Sequence, residues 1–451
     1  MYMNNIKEYN FSDLYEMGSG ISSKPEQAGH GAPFVSFSTV FNNYFLPEKV
    51  KDSMDTSEGE QEVYSVKGGD ILLTRTSETI DELGMSCVVL EDYPRATFSG
   101  FVKRLRPTQS DVTYPKFMGF YLRSKFFRKT MTNNAVLTLR ASLNEDIFSY
   151  LKLYLPDYDT QKRIGDFLYS LNEKIELNNR INAELEDMAK TIYDYWFVQF
   201  DFPNKNGKPY KASGGKMVWS EELKREIPEG WEVKELGDYA SIKKGVLITE
   251  KTADTTGKVK VVSAGIDFSY MHSESNYDEN TITISASGAS AGYINFWREP
   301  IFACDCTTVR GSSVADTLQL LGFLRNHQEF IYKQARGSAQ PHVYPKDIQA
   351  LKFAVPPKII ISQFGHLVES GNEKISNNLK ENQKLTELRD WLLPMLMNGQ
   401  IKIKDAEGLS FKALEKDDEL SMAAEAKEVC NTDTRLKNSV GVNYLNNAAR
   451  K

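Results

Sequence analysis

The sequence predicts an α+β chain: two pseudo-repeated mixed α/β domains separated by two long helices that form an antiparallel coiled coil. Three observations predict it. The chain repeats itself at a shift of 200 residues, a heptad seam follows the strand-rich part of each repeat, and a segment rich in Gly, Pro and Lys joins the halves.

The shift of 200 places Leu151-Lys152 and Pro156 on Leu351-Lys352 and Pro356, and Asn172-Glu173-Lys174-Ile175 on Asn372-Glu373-Lys374-Ile375. Gly165, Ser170, Asn178, Asn182 and Leu185 recur as Gly365, Ser370, Asn378, Asn382 and Leu385. With a small gap the likeness extends upstream, from Gly119-Phe120-Tyr121-Leu122-Arg123 to Gly322-Phe323-Leu324-Arg325. A period this long implies duplicated domains rather than a solenoid.

Residues 1–155 form the first predicted domain and residues 228–355 the second. Each opens with strand-like runs such as Asp70-Ile71-Leu72-Leu73-Thr74 and Thr281-Ile282-Thr283-Ile284-Ser285, bounded by glycines that favour turns. Each continues with a helical stretch, residues 117–131 or 318–335, and closes on a short apolar segment ending in proline. Long helices follow over residues 156–200 and 356–401. Residues 201–227 read as a linker, and residues 402–451 as a tail, mobile or ordered by a partner, with equal numbers of acids and bases.

Along the first long helix Ile164, Leu168, Leu171, Ile175, Asn178, Asn182, Leu185, Ala189 and Ile192 fall at alternating spacings of four and three. Phe364, Val368, Gly371, Ile375, Asn378, Asn382, Leu385, Arg389 and Leu392 repeat the seam. An asparagine at a seam position lowers stability but fixes register, because its amide must find another amide. Halves related by a pseudo-two-fold axis run the helices antiparallel. If Asn178 faces Asn382 and Asn182 faces Asn378, facing numbers sum to 560, which sets Ile175 against Leu385, Leu185 against Ile375, Leu168 against Leu392 and Ile192 against Val368. Ala189 then meets Gly371, and Leu171 meets Arg389, a poor match that Leu388 is placed to relieve. At 1.5 Å per residue, about 30 residues give a spacer of roughly 45 Å.

Composition bounds the function. The formal charge is −6, yet residues 95–140 hold ten Lys or Arg against one acid, whereas residues 166–194 hold seven acids against three bases. The first run suits phosphate; the second does not. No apolar run approaches the 18 to 20 residues of a membrane span, and the N-terminus lacks the apolar core of a signal peptide, so a soluble cytoplasmic protein is expected. Four cysteines and five histidines, with no CxxC pair, suggest neither disulfides nor a metal site.

Ile227-Pro228-Glu229-Gly230-Trp231-Glu232-Val233, Gly337-Ser338-Ala339-Gln340-Pro341-His342, and Gln161-Lys162-Arg163-Ile164 after Leu155-Pro156 resemble segments of type I restriction-modification specificity subunits. The linker Phe202-Pro203-Asn204-Lys205-Asn206-Gly207-Lys208-Pro209-Tyr210 is similar to the one that family places between its halves. The likeness covers about residues 10–400. It implies double-stranded DNA as target, each domain reading one half of a split site, with the helices docking two methyltransferase subunits. Nuclease-translocase subunits join that core. S-adenosylmethionine, ATP and Mg2+ are then expected in the partner subunits, none in this chain.

Base readers need cations for phosphates and hydroxyl or bidentate side chains for base edges. Three pieces recur in each half. Small polar residues follow the strand signal, with Arg75 and Ser77 in one half and Ser285 and Ser287 in the other. A loop precedes each long helix, with Arg140 in the first half and Arg336, Ser338, Gln340 and His342 in the second. An early polar loop carries Ser22 and Lys24, or Lys243 and Lys244. Arg104 lies in the basic run.

Catalysis is not expected. Pro356-Pro357 follows Val355, so the Asn- or Asp-Pro-Pro-aromatic segment of amino-methyltransferases is missing, and Gly257-Lys258 runs on to Val259 without the upstream glycine of a phosphate loop. Pro156-Asp157 is followed by no acid-x-Lys strand of a nuclease. Two alternatives stand: the recognition chain of a nuclease-methylase whose active site is unfamiliar, and a scaffold that binds only protein.

Overall fold

The computed structural model describes residues 6–22, 24–77, 83–134, 136–137, 141–142, 151–335, 341–397, 400–401 and 406. The tail read as mobile or partner-ordered therefore lies, except for Ala406, outside the described residues, and so do Arg140, Arg336, Ser338 and Gln340. The chain divides into two compact units, one of residues 1–176 with 381–451, the other of residues 177–380.

In the first unit strand β1 (Lys7–Asn10) pairs antiparallel with β8 (Lys152–Leu155), the strand that leads into the first long helix. Between them lies an antiparallel sheet of β2 (Tyr15–Ser19), β3 (Ile71–Thr74), β5 (Ser86–Val88) and β6 (Val102–Pro107), in the order β2-β6-β3-β5. Two short strands, β4 (Thr76–Ser77) and β7 (Ala141–Ser142), pair beyond the end of β3. Helices α1 (Pro115–Tyr121) and α2 (Lys125–Asn134) follow the sheet. Phe117, Met118 and Phe120 are fully buried in its core.

The second unit repeats this plan. After a hairpin of β9 (Met217–Ser220) and β10 (Arg225–Pro228), strand β11 (Glu232–Glu235) pairs antiparallel with β16 (Lys352–Val355). The sheet contains β12 (Ser241–Lys244), β13 (Thr281–Ser285), β14 (Ile294–Trp297) and β15 (Cys306–Arg310), in the order β12-β15-β13-β14. Every pair is antiparallel, as in the first unit. Helices α4 (Val314–Asn326) and α5 (Gln328–Gln334) take the places of α1 and α2. Ser313 caps α4, its hydroxyl accepting the Asp316 N–H at 3.0 Å.

The stretch read as a linker is more ordered than its composition suggests. It contains β9, and Phe202 stacks on Tyr210 at 4.7 Å and on Trp231 at 5.3 Å between ring centres. Phe200, Phe202 and Trp231 are buried in the second unit's core. Gly, Pro and Lys set the turns here, but the aromatics supply enough apolar surface to fold the segment.

The seams coincide with burial. Helix α3 spans Tyr158–Tyr193 and helix α6 spans Lys358–Met397. In the first unit the start of α3, Ile164 and Leu168, shares a core with the end of α6, Leu388, Leu392, Leu393 and Leu396. In the second unit Tyr193, at the end of α3, shares a core with Ile360, Phe364 and Val368 at the start of α6. The pairing is antiparallel. Asn378 Nδ2 donates to Asn182 Oδ1 at 2.8 Å within the second unit, as the facing sum of 560 predicts. Asn178, Asn382 and Ile375 are buried as well.

Two expected facing pairs differ. The atom nearest to a Cβ built on Gly371 is Leu185 Cδ2, at 3.5 Å, not Ala189, one turn further along α3. Seam side chains enter holes between facing residues instead of meeting head-on, which shifts contacts by a turn. Arg389 does not rely on Leu388 for relief. Its long stem carries the guanidinium to Asp390 at 3.0 Å and Asn172 at 3.4 Å, over the Tyr44 ring at 4.4 Å, leaving Leu171, Ile175 and Leu385 to form a small apolar cluster. Among the described residues no helix is long and apolar enough to cross a membrane.

Candidate nucleic-acid interface

In both units the described residues of the recurring predicted pieces lie at one end of the sheet. Antiparallel order forces this: β2 or β12 ends where β6 or β15 begins, and β3 or β13 ends beside it. In the second unit Lys244 pairs with Thr307 and Ser285 with Cys306, so the exposed Lys243 and Lys244 lie two strands from Ser285. Ser287 then forms a β-bridge with His342, flanked by Val343 N–H to Ala286 O at 3.0 Å and Gly288 N–H to Pro341 O at 3.1 Å. The His342 ring stacks near the exposed Tyr344 ring, 6.0 Å between centres. The described residues of these pieces, Lys243, Lys244, Ser285, Ser287 and His342, converge there.

The serines play an internal part. Ser285 and Ser287 are buried, and Ser287 Oγ donates to Asp305 Oδ2 at 2.8 Å. They hold the loop ends, and Asp305 with them.

The first unit builds the same end. Ser19 pairs with Lys103 and Thr74 with Val102. The Arg75 N–H donates to Phe101 O at 2.8 Å, and the Arg75 side chain is exposed. Ser77 lies on β4, paired with Ala141 of the loop before α3. Ser22 and Lys24 are exposed beyond Ile21, whose N–H donates to Phe98 O at 2.9 Å, and the Lys24 N–H donates to Gln27 Oε1 at 3.1 Å. Glycine permits this close passage. A Cβ on Gly20 would stand 2.1 Å from Ser99 O, and one on Gly245 would stand 2.1 Å from Cys304 O.

Much of the basic run is engaged inside the unit. Arg104 Nη1 donates to Ser65 O at 2.7 Å and its guanidinium lies over Phe98 at 5.4 Å; burial, then the Arg106 charge, lowers its pKa from the ordinary arginine value. Arg106 grips the buried Asp70 with two bonds, at 2.8 and 2.7 Å, and that hydrogen-bonded carboxylate raises its pKa. Arg123 donates to four backbone carbonyls, of Ser86, Val40, Phe41 and Asn43, at 2.7 to 3.0 Å. Lys125, Arg128 and Lys129 line a shallow groove along α2. Among the described residues no cluster of His, Cys, Asp or Glu could hold a metal ion.

Sequence reasoning passed over two residues at these ends, Phe101 and Asp305. Phe101 is 62% exposed at the turn into β6, a large ring with little cover. Asp305 precedes β15, and its carbonyl accepts the Ala286 N–H at 3.4 Å as Phe101 O accepts that of Arg75. Their equivalence is hidden in the repeat because the first unit has one more residue, Gly100, between Ser99 and Val102.

The profile of the family described as "Type I restriction modification DNA specificity domain" matches residues 3–187 and 228–387, one copy on each half. The Type I restriction enzyme MjaIX specificity subunit of Methanocaldococcus jannaschii is 26% identical over 363 residues, covering 75% of this chain and 78% of that one. The HindI specificity subunit of Haemophilus influenzae is 25% identical, covering 88% of this chain and all of the relative. In fold the chain resembles the crystal structure of a type I restriction-modification S subunit from M. genitalium, with a TM-score of 0.54 and 16% identity over 87% of this chain and 96% of that one. The chain belongs to the type I restriction modification DNA specificity domain family.

Proposed function

We propose that this chain gives a type I restriction-modification complex its sequence specificity, each unit reading one half of a bipartite duplex target through the sheet end described above. The observation that carries the reading is the duplication: both units present exposed cations at the same end of the same four-stranded sheet, Lys24 and Arg75 in one, Lys243 and Lys244 in the other. Cations there position phosphates, and neighbouring side chains reach base edges. Two methyltransferase subunits dock on the paired helices, and nuclease-translocase subunits join them. S-adenosylmethionine, ATP and Mg2+ belong to those partners, and the complex works in the cytoplasm.

Exchange of residues 1–150 for those of another family member tests this. Methylation mapping of a host carrying the whole system should show one half of the target changed and the other kept. A change in both halves, or methylation or cleavage by this chain alone, would refute it.

A further inference from the structure

The two sheet ends share a backbone plan, and one matched position in it, Phe101 in the first and Asp305 in the second, carries opposite chemistry. Phe101 and Asp305 each precede a strand, β6 or β15, and the carbonyl of each accepts a backbone N–H from the residue after the neighbouring strand β3 or β13, Arg75 or Ala286; each is followed by a buried residue, Val102 or Cys306. The backbone is shared; the chemistry is not. The Phe101 ring is 62% exposed at this turn, an apolar surface open to a base edge. A carboxylate at an end rich in exposed lysines opposes phosphate binding unless it has a partner of its own on the DNA.

We propose that Phe101 and Asp305 are specificity-determining residues: Phe101 packs on the C5-methyl group of a thymine in one half-site, and the Asp305 carboxylate accepts from the N4 amine of a cytosine in the other. The inference rests on the DNA-reading function proposed above. Thymine is the base whose major-groove edge carries a methyl group, and the cytosine edge offers a donor that suits a carboxylate. Ser287 bonds one carboxylate oxygen, Oδ2, at 2.8 Å, which fixes the direction of the other. Phe101 is held through its backbone on both sides, its N–H donating to Ser99 Oγ at 3.2 Å and its carbonyl accepting from Arg75. Neither side chain can hold a phosphate, so the contribution of each to recognition is read in sequence preference.

The test uses the full chain with its methyltransferase partners and a pool of randomised DNA duplexes. Wild type should select a split motif. F101A should relax preference for thymine at one position of one half by about 4-fold, the worth of one buried methyl group, and F101L should restore part of it. Replacing that thymine by deoxyuridine, which removes only the methyl group, should weaken wild type by a similar factor and leave F101A unaffected. D305N should lose preference for cytosine at one position of the other half and turn toward adenine, which an amide matches. The slope of affinity against salt should stay unchanged in F101A and F101L, and thermal melts should show every variant folded like wild type. Unchanged preferences, or weakening equal across all sequences, would overturn the assignment. A wild-type complex that selects no motif would instead overturn the DNA-reading function itself.

Discussion

The Asn378–Asn182 bond offers a direct measure of what the polar seam does. Asn378 is 1% exposed and donates to Asn182 Oδ1 at 2.8 Å, while Asn182 Nδ2 is buried without a hydrogen-bond partner. Replacing Asn378 by Leu removes the donor and strands a buried carbonyl beside an amide already unsatisfied. That desolvation costs about 1–3 kcal/mol. Leu also buries more apolar surface and adds volume, but those terms recur in the double variant and cancel in a cycle. Asn182→Leu strands the Asn378 amide in the same way, whereas the double variant leaves neither amide behind. The two substitutions should therefore couple by about 1–3 kcal/mol, the pair being better tolerated than the sum of the singles. Urea unfolding of wild type, both singles and the double, followed by helical signal, measures it. Additivity within about 0.5 kcal/mol would refute the reasoning and show that water or another group satisfies these amides.

Three further outcomes follow from the structure. Burial raises the pKa of the Asp316 carboxyl, but hydrogen bonds from Ser312, Tyr239 and Ser313 outweigh it, so the folded group titrates below its ordinary value. A depressed carboxylate favours the folded state above the unfolded pKa, and that contribution is lost as pH falls through the folded one; D316N should thus flatten the stability loss below about pH 4, and an acid limb unchanged by D316N in thermal melts would contradict it. Gly20→Ala forces a Cβ to 2.1 Å from a carbonyl oxygen, so it should lower stability by at least about 1–3 kcal/mol, read by urea titration, and blunt specificity in the half-site of the first unit alone. Adding one heptad to both long helices lengthens each by about 10 Å, and, on the spacer role expected from the heptad repeat, methylation mapping should then show a preferred gap between half-sites longer by about three base pairs.

Fold was largely legible in the sequence because its strongest signals are periodic. The heptad spacing alone marks Leu168, Ile175 and Leu385 as buried, and the coincidence of asparagines sets the register that the Asn378–Asn182 bond displays. The sheet ends were legible as loops, yet their chemistry was not. Composition cannot separate Arg104 and Arg123, engaged with backbone carbonyls, from Arg75, whose side chain is exposed. Serines that look like base readers, Ser285 and Ser287, are buried because the strand end folds them under the loop. Phe101 escaped notice because an aromatic residue beside a strand is usually core, and only the turn at Ser99-Gly100 directs it outward.

The two units differ in how the chain visits them. The second is one continuous stretch, residues 177–380, whereas the first takes residues 1–176 and then waits for 381–451. Leu388, Leu392, Leu393 and Leu396, which fill the first unit's core, are made only after the whole second unit. On the ribosome the usual order is therefore inverted. At about 5–20 residues per second, the intervening 200 or so residues take roughly 10 to 40 s to synthesise, and through that interval the first half emerges with an open apolar face. The second half, encoded later, can close first. A message cut short before the end of α6 yields a chain whose first unit cannot be completed, which leaves it exposed to proteases and chaperones before it reaches any DNA.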